Sequence, residues 1–501
     1  MEGAQQPAGR QFDVAVIGTG FSGLAAAIRL KQEGLTDFVV LERGAEVGGT
    51  WRDNTYPGCQ CDVPSHLYSF SFAPNPAWSR SFSLQPEILE YLRQCADRFG
   101  IRPFIRFNHA VEMCTWNDSA ERWEVQTSGG LYSARVLVAG MGGLSEPSIP
   151  PIAGLERFKG TYFHSATWNH DHDLRGHRVA VVGTGASSIQ FIPKIQPDVA
   201  HLDVYQRTPP WIMPHPDRPL SEWARRTYAR VPAIQRAVRD AIYWSRESFI
   251  PFFVYDRLAG VPRRIAMQHL RRQVADPGLR ARLTPDYQVG CKRILISNDY
   301  YPALQQSNVE IVTTGIGEIR DRSIVSSDGT ERDVDTIIFG TGFHVTDFPF
   351  AQRLRGRDRR LLADVFQDSP QAHRGTTVAG FPNLFFLLGP NTGLGHTSVV
   401  VMAEAQVEYV LDSLRFMRRR GVTSVEVKAN VQQAYNERLQ ADLQRTVWNA
   451  GGCASWYLDA TGRNTTLWPT YTFRFARQMR NFDAAEYMLR SGASRSERPA
   501  A

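Results

Sequence analysis

The sequence predicts an α/β fold with two domains and a helical subdomain. Each domain contains one copy of a strand–turn–helix unit, and the second domain is inserted into the first. The unit occurs at "FDVAVIGTGFSGLAAAIRL" and again at "HRVAVVGTGASSIQFI". Two further apolar runs that end in small residues, "VLVAGMGG" and "TIIFGTGF", flank the second copy. Such runs are expected where a chain leaves a domain and returns to it. Both units are therefore interpreted as Rossmann-like.

Length and composition indicate a large globular protein. The 501 residues are 43% hydrophobic, which is enough for two or three domains with buried cores. The first residues lack the pattern of a signal peptide, and no apolar run approaches the ~18 residues of a membrane helix. We expect a cytoplasmic protein with no membrane partner. Six cysteines are few for this length and predict reduced thiols, and their spacing predicts no metal site.

The formal net charge of +7 is concentrated in one segment. Residues 221–286 contain thirteen arginines, no lysine and six acidic residues, so the rest of the chain is balanced. These arginines recur through helix-like patterns, which is typical of a solvated helical face and gives no reason to expect nucleic acid as a partner. Steering of a polyanionic cofactor is a less favoured alternative. The aromatic residues of 243–255 indicate packing or a substrate tunnel.

The glycine-rich turns predict two dinucleotide sites. Glycines allow the backbone to turn tightly and approach a pyrophosphate, whose charge is met by the helix N-terminus. The predicted binding positions are Gly18, Gly20 and Gly23 in the first unit and Gly183, Thr184, Gly185 and Ser188 in the second.

The residues that end the next strand distinguish the two sites. Glu42 lies nineteen residues after Gly23, whereas Arg207 lies nineteen residues after Ser188 and is followed by Thr208. A carboxylate accepts hydrogen bonds from a free ribose and repels a 2'-phosphate, which an arginine would bind. We therefore expect FAD in the first site and NADPH in the second.

These assignments predict the domain organisation. The FAD-binding domain comprises 11–148 and 331–490. The NADPH-binding domain comprises 149–330, with a helical insertion at about 220–288. The termini, residues 1–10 and 491–501, are expected to be disordered.

The acceptor of the flavin electrons is predicted by elimination. No cysteine pair has the spacing of a redox-active disulfide, and the cysteines do not fit iron–sulfur ligation. Dioxygen is therefore the leading acceptor. Its reaction with reduced flavin gives a C4a-peroxyflavin, which is useful only in a site that excludes water.

The segment "FKGTYFHSATWN" resembles the FxGxxxHxxxW fingerprint of the Baeyer–Villiger monooxygenases, which insert oxygen beside a ketone carbonyl. Its fixed positions are Phe158, Gly160, His164 and Trp168. His164 and Trp168 are assigned to the cofactor region. Because they lie in a connector and not at a strand end, we expect them to couple the two domains as NADPH binds, not to transfer protons.

A second segment, "GGTWRDNTYPGCQCD", is similar to the family signature GGxWxxxxYPGxxxD. The resemblance implies that Thr50 and Trp51 lie at the flavin and that Asp62 enters the active site, with Tyr68 close behind. Val111 is also assigned to the cofactor site.

The segment "GCKRILISNDYY" is similar to the family segment whose arginine sits over the flavin ring, here Arg293. A peroxide anion in a dry site needs a fixed positive charge, and arginine stays protonated there. Asp62 is its expected partner. Two C-terminal segments, "GPNTGLGHTS" and "CASWYLDATGRNTTLWP", look like the tail of the wider family, so the resemblance extends from Phe12 to about Arg480.

The resemblance implies an NADPH-dependent enzyme that uses O2 to convert an apolar ketone to an ester or lactone. Trp456 and Trp468 indicate an apolar substrate pocket, while the oligomeric state is not predicted. Two alternatives remain at this point: a flavin monooxygenase that oxidises nitrogen or sulfur, and a binding protein that uses FAD as a redox sensor. A sensor needs no arginine to stabilise a peroxide, which favours an enzyme.

Overall fold

A computed structural model describes residues 10–367 and 369–491. The segments expected to be disordered lie outside the described residues except at Arg10 and Ser491, each of which is in a strand. The strands are β1 (Arg10–Ile17), β2 (Phe38–Leu41), β3 (Ile105–Arg106), β4 (Val111–Asn117), β5 (Arg122–Thr127), β6 (Gly130–Ala139), β7 (Thr161–His164), β8 (Arg178–Val182), β9 (His201–Tyr205), β10 (Ile212–Met213), β11 (Leu295–Ile296), β12 (Val309–Val312), β13 (Ile316–Ile319), β14 (Ser323–Ser326), β15 (Glu331–Asp333), β16 (Thr336–Phe339), β17 (Leu354–Arg355), β18 (Leu384–Phe386), β19 (Val422–Val427) and β20 (Tyr487–Ser491).

The α-helices are α1 (Phe21–Gln32), α2 (Thr50–Asp53), α3 (Gln85–Arg98), α4 (Ser188–Ile195), α5 (Glu222–Arg230), α6 (Pro232–Glu247), α7 (Ile250–Val254), α8 (Gly260–Gln273), α9 (Pro277–Arg282), α10 (Tyr300–Ala303), α11 (Leu362–Phe366), α12 (Val399–Arg420), α13 (Ala429–Leu443), α14 (Val447–Ala450) and α15 (Thr472–Gln478). Helix α1 joins the parallel strands β1 and β2, and helix α4 joins the parallel strands β8 and β9.

The first sheet is built around β1. Its strand order is β17-β4-β5-β6-β1-β2-β3, and β18 also pairs with β6. The central strand β1 pairs in parallel with β2 and β6. The apolar run of β1 is buried because parallel strands are covered on both faces. The N-terminal end of α1 therefore opens at the carboxyl edge of this sheet.

The second sheet contains five parallel strands in the order β12-β9-β8-β16-β7. Strand β16 hydrogen bonds to β7 and β8, so this sheet continues past the boundary expected at residue 330. The sequence of a short apolar strand does not specify which sheet it joins, because both sheets offer it the same backbone pairing.

The chain crosses between the sheets along two adjacent segments. Ser148 N donates to Gly342 O at 2.9 Å, and His344 N donates to Glu146 O at 2.9 Å. The outgoing and returning segments therefore run side by side. After the second crossing, β17 and β18 rejoin the first sheet. The predicted α/β class with two Rossmann-like units, the second inserted into the first, is confirmed.

Five helices, α5 to α9, occupy residues 222–282. They lie in the chain between β10 and β11, which pair in parallel. Within the described parts of the chain, no helix is both long enough and apolar enough to cross a bilayer.

The expectation that all six cysteines are reduced thiols is wrong for one pair. Cys291 and Cys453 form a disulfide. They are 162 residues apart in sequence, and only the docking of the C-terminal segment beside the Arg293 segment brings them together. The other four cysteines are free and buried.

Candidate active site

The first glycine-rich turn leaves no room for side chains at Gly18 and Gly23. Gly18 has φ +89°, and a Cβ placed there would lie 2.8 Å from the carbonyl oxygen of Gly140. A Cβ on Gly23 would lie 1.9 Å from the carbonyl oxygen of Gly18. Gly20 faces Gly49 across the same cleft, where a Cβ on Gly20 would lie 3.8 Å from the Gly49 Cα. The turn therefore presents bare backbone at the start of α1, which fits a pyrophosphate.

Glu42 follows β2 directly, and its carboxylate is buried against this turn. Thr19 donates to Glu42 Oε2 from its backbone N at 2.9 Å and from its hydroxyl at 2.6 Å. Gly44 N and Arg52 Nη1 each donate to Oε1 at 2.7 Å. The carboxylate thus lies at the strand end where a ribose would be bound, and protein donors hold it in place.

Trp51 and Tyr68 form the wall beside this turn. Thr50 starts α2, and Trp51 Nε1 donates to the Tyr68 hydroxyl at 3.1 Å. The Tyr68 ring lies edge-on to Phe21, 4.9 Å away, and burial raises the pKa of Tyr68. These contacts place an apolar, aromatic surface next to α1.

Val111 starts β4 and is buried. Its strand is separated from β1 by β5 and β6, so it does not adjoin the strand that leads into the turn. The loop just before it makes the nearest contact, since His109 N donates to Glu42 O at 2.8 Å.

The second turn repeats the packing of the first. Gly183 has φ +103°, and a Cβ there would lie 2.6 Å from the carbonyl oxygen of Gly340, which follows β16. A Cβ on Gly340 would in turn lie 2.0 Å from Ser188 Oγ. Ser188 can therefore occupy the third small position because its neighbour is a glycine. Gly185 is exposed at the open end of α4.

Positive charge collects beside this second turn. Arg207 follows β9 and is exposed, and the Thr184 hydroxyl donates to Thr208 O at 3.4 Å. Burial lowers the pKa of Lys292, and the nearby charge of Arg207 lowers it further. Lys292 was not predicted as a ligand, although its place next to Arg293 in "GCKRIL" is a usable signal. Two adjacent cations fit a phosphate group.

Arg293 and Asp62 are brought together as predicted. Arg293 Nε and Nη2 donate to Asp62 Oδ2 at 2.9 and 2.6 Å. The side chains retain 35% and 26% of their exposure, so the pair lines an accessible space. The Asp62 carboxylate raises the pKa of Arg293 and outweighs the opposing effect of burial. The guanidinium is therefore a permanent positive charge.

Tyr457 is a candidate that the sequence reasoning missed. It follows Trp456 directly in "CASWYLDATGRNTTLWP", and that position is a usable signal in the sequence. Its side chain is buried, and within the described chain its hydroxyl has no hydrogen-bond partner. Burial raises its pKa to about 12, while the charge of Arg293 lowers it and that of Asp62 raises it. A neutral hydroxyl therefore lies close to the ion pair.

The two predicted tryptophans differ in position. Trp456 is 43% exposed and packs against Tyr457, with ring centroids 4.4 Å apart. Trp468 is buried and donates from Nε1 to Tyr471 O at 3.0 Å. Of the two, Trp456 is the one next to the candidate site.

His164 is at a strand end, which corrects the expectation that it lies in a connector. It is the last residue of β7, which pairs with β16. The four residues of β7, TYFH, have mixed polarity, so their sequence alone does not predict a strand there. His164 Nδ1 accepts from Ala166 N at 3.1 Å, and burial lowers the pKa of His164. The Trp168 ring packs against Phe191 of α4 at 5.3 Å.

Gln190, also on α4, links the two domains and was not predicted. Its Oε1 accepts from the Tyr56 hydroxyl at 2.9 Å, and its Nε2 donates to Gln60 O at 3.0 Å. The Phe191 ring that contacts Trp168 also lies 6.1 Å from Tyr56. The segment that ends at Asp62 is therefore docked on the helix of the second glycine-rich unit.

Comparisons with known proteins agree with this geometry. A family model described as "Pyridine nucleotide-disulphide oxidoreductase" matches residues 15–237. A Baeyer-Villiger monooxygenase of Pseudomonas aeruginosa is 52% identical over 96% of this chain and 92% of its own length. One of Streptomyces coelicolor is 51% identical over 95% and 92%.

Solved structures show the same architecture. The cyclohexanone monooxygenase from Rhodococcus sp. Phi1 bound to NADP+ is 27% identical, covers 97% of this chain and 100% of its own, and superposes with a TM-score of 0.86. OTEMO in complex with FAD and NADP is 28% identical, with 96% and 99% coverage and a TM-score of 0.85. With these relatives and this arrangement of sites, the chain belongs to the Baeyer–Villiger monooxygenase family.

Proposed function

We propose that this enzyme uses FAD, NADPH and O2 to insert one oxygen atom beside the carbonyl of a small apolar ketone, giving an ester or lactone. The observation that carries the proposal is the accessible Arg293–Asp62 pair at the meeting point of two glycine-rich units. The family membership supports the same reaction class. A cytoplasmic location is part of this proposal.

The first unit fits FAD. The bare turn 18–23 would hold the pyrophosphate and Glu42 the ribose, with Thr50 and Trp51 at the ring. When bound and reduced, FAD supplies the electrons that activate O2. The second unit fits NADPH, because Arg207 and Lys292 form a cationic pair for the 2'-phosphate beside the turn 183–188.

Arg293 would stabilise negative charge that develops on oxygen during the reaction. Its guanidinium keeps its proton, and the bond to Asp62 fixes its direction, so it needs little reorganisation. Tyr457 would offer a neutral hydroxyl as a hydrogen-bond donor to a substrate oxygen beside the ion pair. Trp456 and Trp51 would exclude water from that space.

Trp168, His164 and Gln190 would position the two domains. Trp168 packs on Phe191 of α4, which also contacts Tyr56, and Gln190 of the same helix is hydrogen bonded to Tyr56 and Gln60. Both contacts therefore lead to the segment that ends at Asp62. A shift of α4 on NADPH binding would therefore move Asp62 relative to Arg293.

The proposal is tested with the FAD-loaded protein. NADPH should bleach its yellow colour in the absence of air, and admission of O2 with a panel of cyclic, aryl and long-chain ketones should yield esters or lactones. Oxidation of amines or sulfides with no ester from any ketone would refute the proposed reaction. Failure of NADPH to reduce the flavin would refute the cofactor assignment.

A further inference from the structure

Helix α6 turns polar side chains inward. Gln235 and Arg239 each donate a hydrogen bond of 2.6 Å to a backbone carbonyl in the 66–75 segment. Glu247 is 2% exposed and accepts from Thr472 N at 2.9 Å. The spacing of four and then eight residues places all three on one side of the helix. That side faces the protein.

The opposite side of α6 is apolar and faces solvent. Ile234, Ala237, Ala241 and Trp244 follow each other at intervals of three and four residues, and all four are exposed. Ile234 retains 42% and Trp244 58% of its exposure. A surface helix normally buries its apolar stripe and solvates its polar one. Arg236 has the expected solvated position, but Arg239 is turned towards the protein and the exposed side of α6 is largely apolar, so the polarity of this helix is inverted in part.

The apolar stripe continues beyond the helix. Val231, just before α6, is 44% exposed, and Phe473 is 39% exposed with its ring 5.9 Å from that of Trp244. We define the α6 surface as this continuous set: Val231, Ile234, Ala237, Ala241, Trp244 and Phe473.

Positive charges border the α6 surface. Arg230 and Arg236 are exposed on α5 and α6, and Arg474 lies over the Tyr471 ring, which contacts Phe473. None of these three arginines forms an ion pair with any residue in the described parts of the chain. Arg230 and Arg236 belong to residues 221–286, which carry a net charge of +7, and Arg474 lies next to this region through Phe473.

We propose, in place of the expectation of no membrane partner, that the α6 surface docks on the interface of a membrane that contains anionic lipid. Helices with an apolar face, tryptophan and a basic border lie in the plane of such interfaces, and each basic residue near the surface strengthens the attraction to anionic lipid. Tryptophan is enriched at the headgroup level. A second copy of the chain is a poorer occupant, because a two-fold interface would place the same positively charged region against itself.

The test uses the FAD-loaded full chain and sedimentation with lipid vesicles. We expect binding to vesicles of phosphatidylcholine with phosphatidylglycerol, and at least about tenfold weaker binding to phosphatidylcholine alone or at ~1 M salt. The double variant Ile234→Glu/Trp244→Glu should also bind about tenfold or more weakly. Leu131→Glu is the matched control, since Leu131 is 36% exposed on β6 of the first sheet, and it should bind as the wild type does.

Several outcomes would overturn the proposal. They are no sedimentation of the wild type with anionic vesicles, equal binding to neutral ones, or full retention of binding by the double variant. A dimer in analytical ultracentrifugation that the double variant loses would assign the surface to a second copy instead. Because both substituted side chains are about half exposed, the variant should stay folded at the assay temperature. Its circular dichroism and thermal unfolding are measured beside binding, so that loss of fold is not mistaken for loss of binding.

Discussion

Arg293 directs two guanidinium nitrogens at a single oxygen of Asp62, although 231 residues separate them in the chain. One residue comes from the first glycine-rich unit and the other from the segment that follows the helical insertion. The position of the guanidinium therefore depends on how the two domains are docked. The arrangement of the domains therefore decides where the positive charge of Arg293 lies.

We expect Arg293→Ala to retain FAD and its reduction by NADPH but to lose ester or lactone formation by two to three powers of ten, roughly 3 to 4 kcal/mol. The reason is that the charge is needed only after O2 has reacted. Product and hydrogen peroxide are measured per NADPH consumed, and peroxide should replace product. Arg293→Lys keeps a positive charge but loses the paired guanidinium nitrogens, so its product yield per NADPH should lie between those of the wild type and Arg293→Ala. Wild-type product yield from Arg293→Ala would mean that another residue stabilises the charge.

Arg207→Ala and Lys292→Ala should each reduce the preference for NADPH over NADH by ten- to a hundredfold, since each removes a charge-assisted contact worth ~1.5 to 3 kcal/mol. The lost preference should come from a higher KM for NADPH, while the KM for NADH should change little. Arg271→Ala, an exposed arginine on α8, is the control. Equal use of both nucleotides by the wild type would contradict the assignment of the second site.

Gly23→Ala should abolish FAD binding or folding of the first unit, because its Cβ would lie 1.9 Å from the carbonyl oxygen of Gly18. Gly143→Ala serves as the control, since a Cβ there meets nothing within 4 Å. FAD content by absorbance and the melting temperature are the measurements. Normal FAD content in Gly23→Ala would show that the turn can relax.

Gln190→Ala should uncouple the enzyme by loosening the segment that ends at Asp62. It removes the hydrogen bonds to Tyr56 and Gln60 that join this segment to α4. NADPH oxidation should continue while the ratio of product to NADPH falls several-fold. Gln305→Ala, which removes two hydrogen bonds to backbone carbonyls away from that segment, should leave the ratio unchanged. An unchanged ratio in Gln190→Ala would indicate that these bonds do not position Asp62.

Reduction of the Cys291–Cys453 disulfide should destabilise the folded chain. The crosslink joins residues 162 apart, and loss of such a link costs about 2 to 5 kcal/mol. A reductant should lower the melting temperature of the wild type but not that of Cys453→Ser. Titration of six free thiols in the unreduced, unfolded wild type would show that the bond is not formed.

The sequence by itself determined the class of fold and the chemistry of the two units. A buried strand, a turn of small residues and a helix are local patterns, and the turn at Gly18 requires glycine whatever surrounds it. The contrast between Glu42 and Arg207 is also local, because both follow a strand at a fixed distance from the turn. Family motifs indicate Arg293 and Asp62, because such motifs are short enough to be recognised in one sequence.

Only the tertiary structure decided which distant segments meet. The pairing of β16 with β7, the disulfide from Cys291 to Cys453 and the place of Tyr457 beside Arg293 each depend on docking between remote parts of the chain. The partly inverted polarity of α6 also depends on docking with remote segments. Its sequence shows an amphipathic helix, but which face is turned to the protein is set by the partners that Gln235 and Glu247 find in the fold. A periodic pattern fixes the faces of a helix, and the free energy of packing selects the one that is buried.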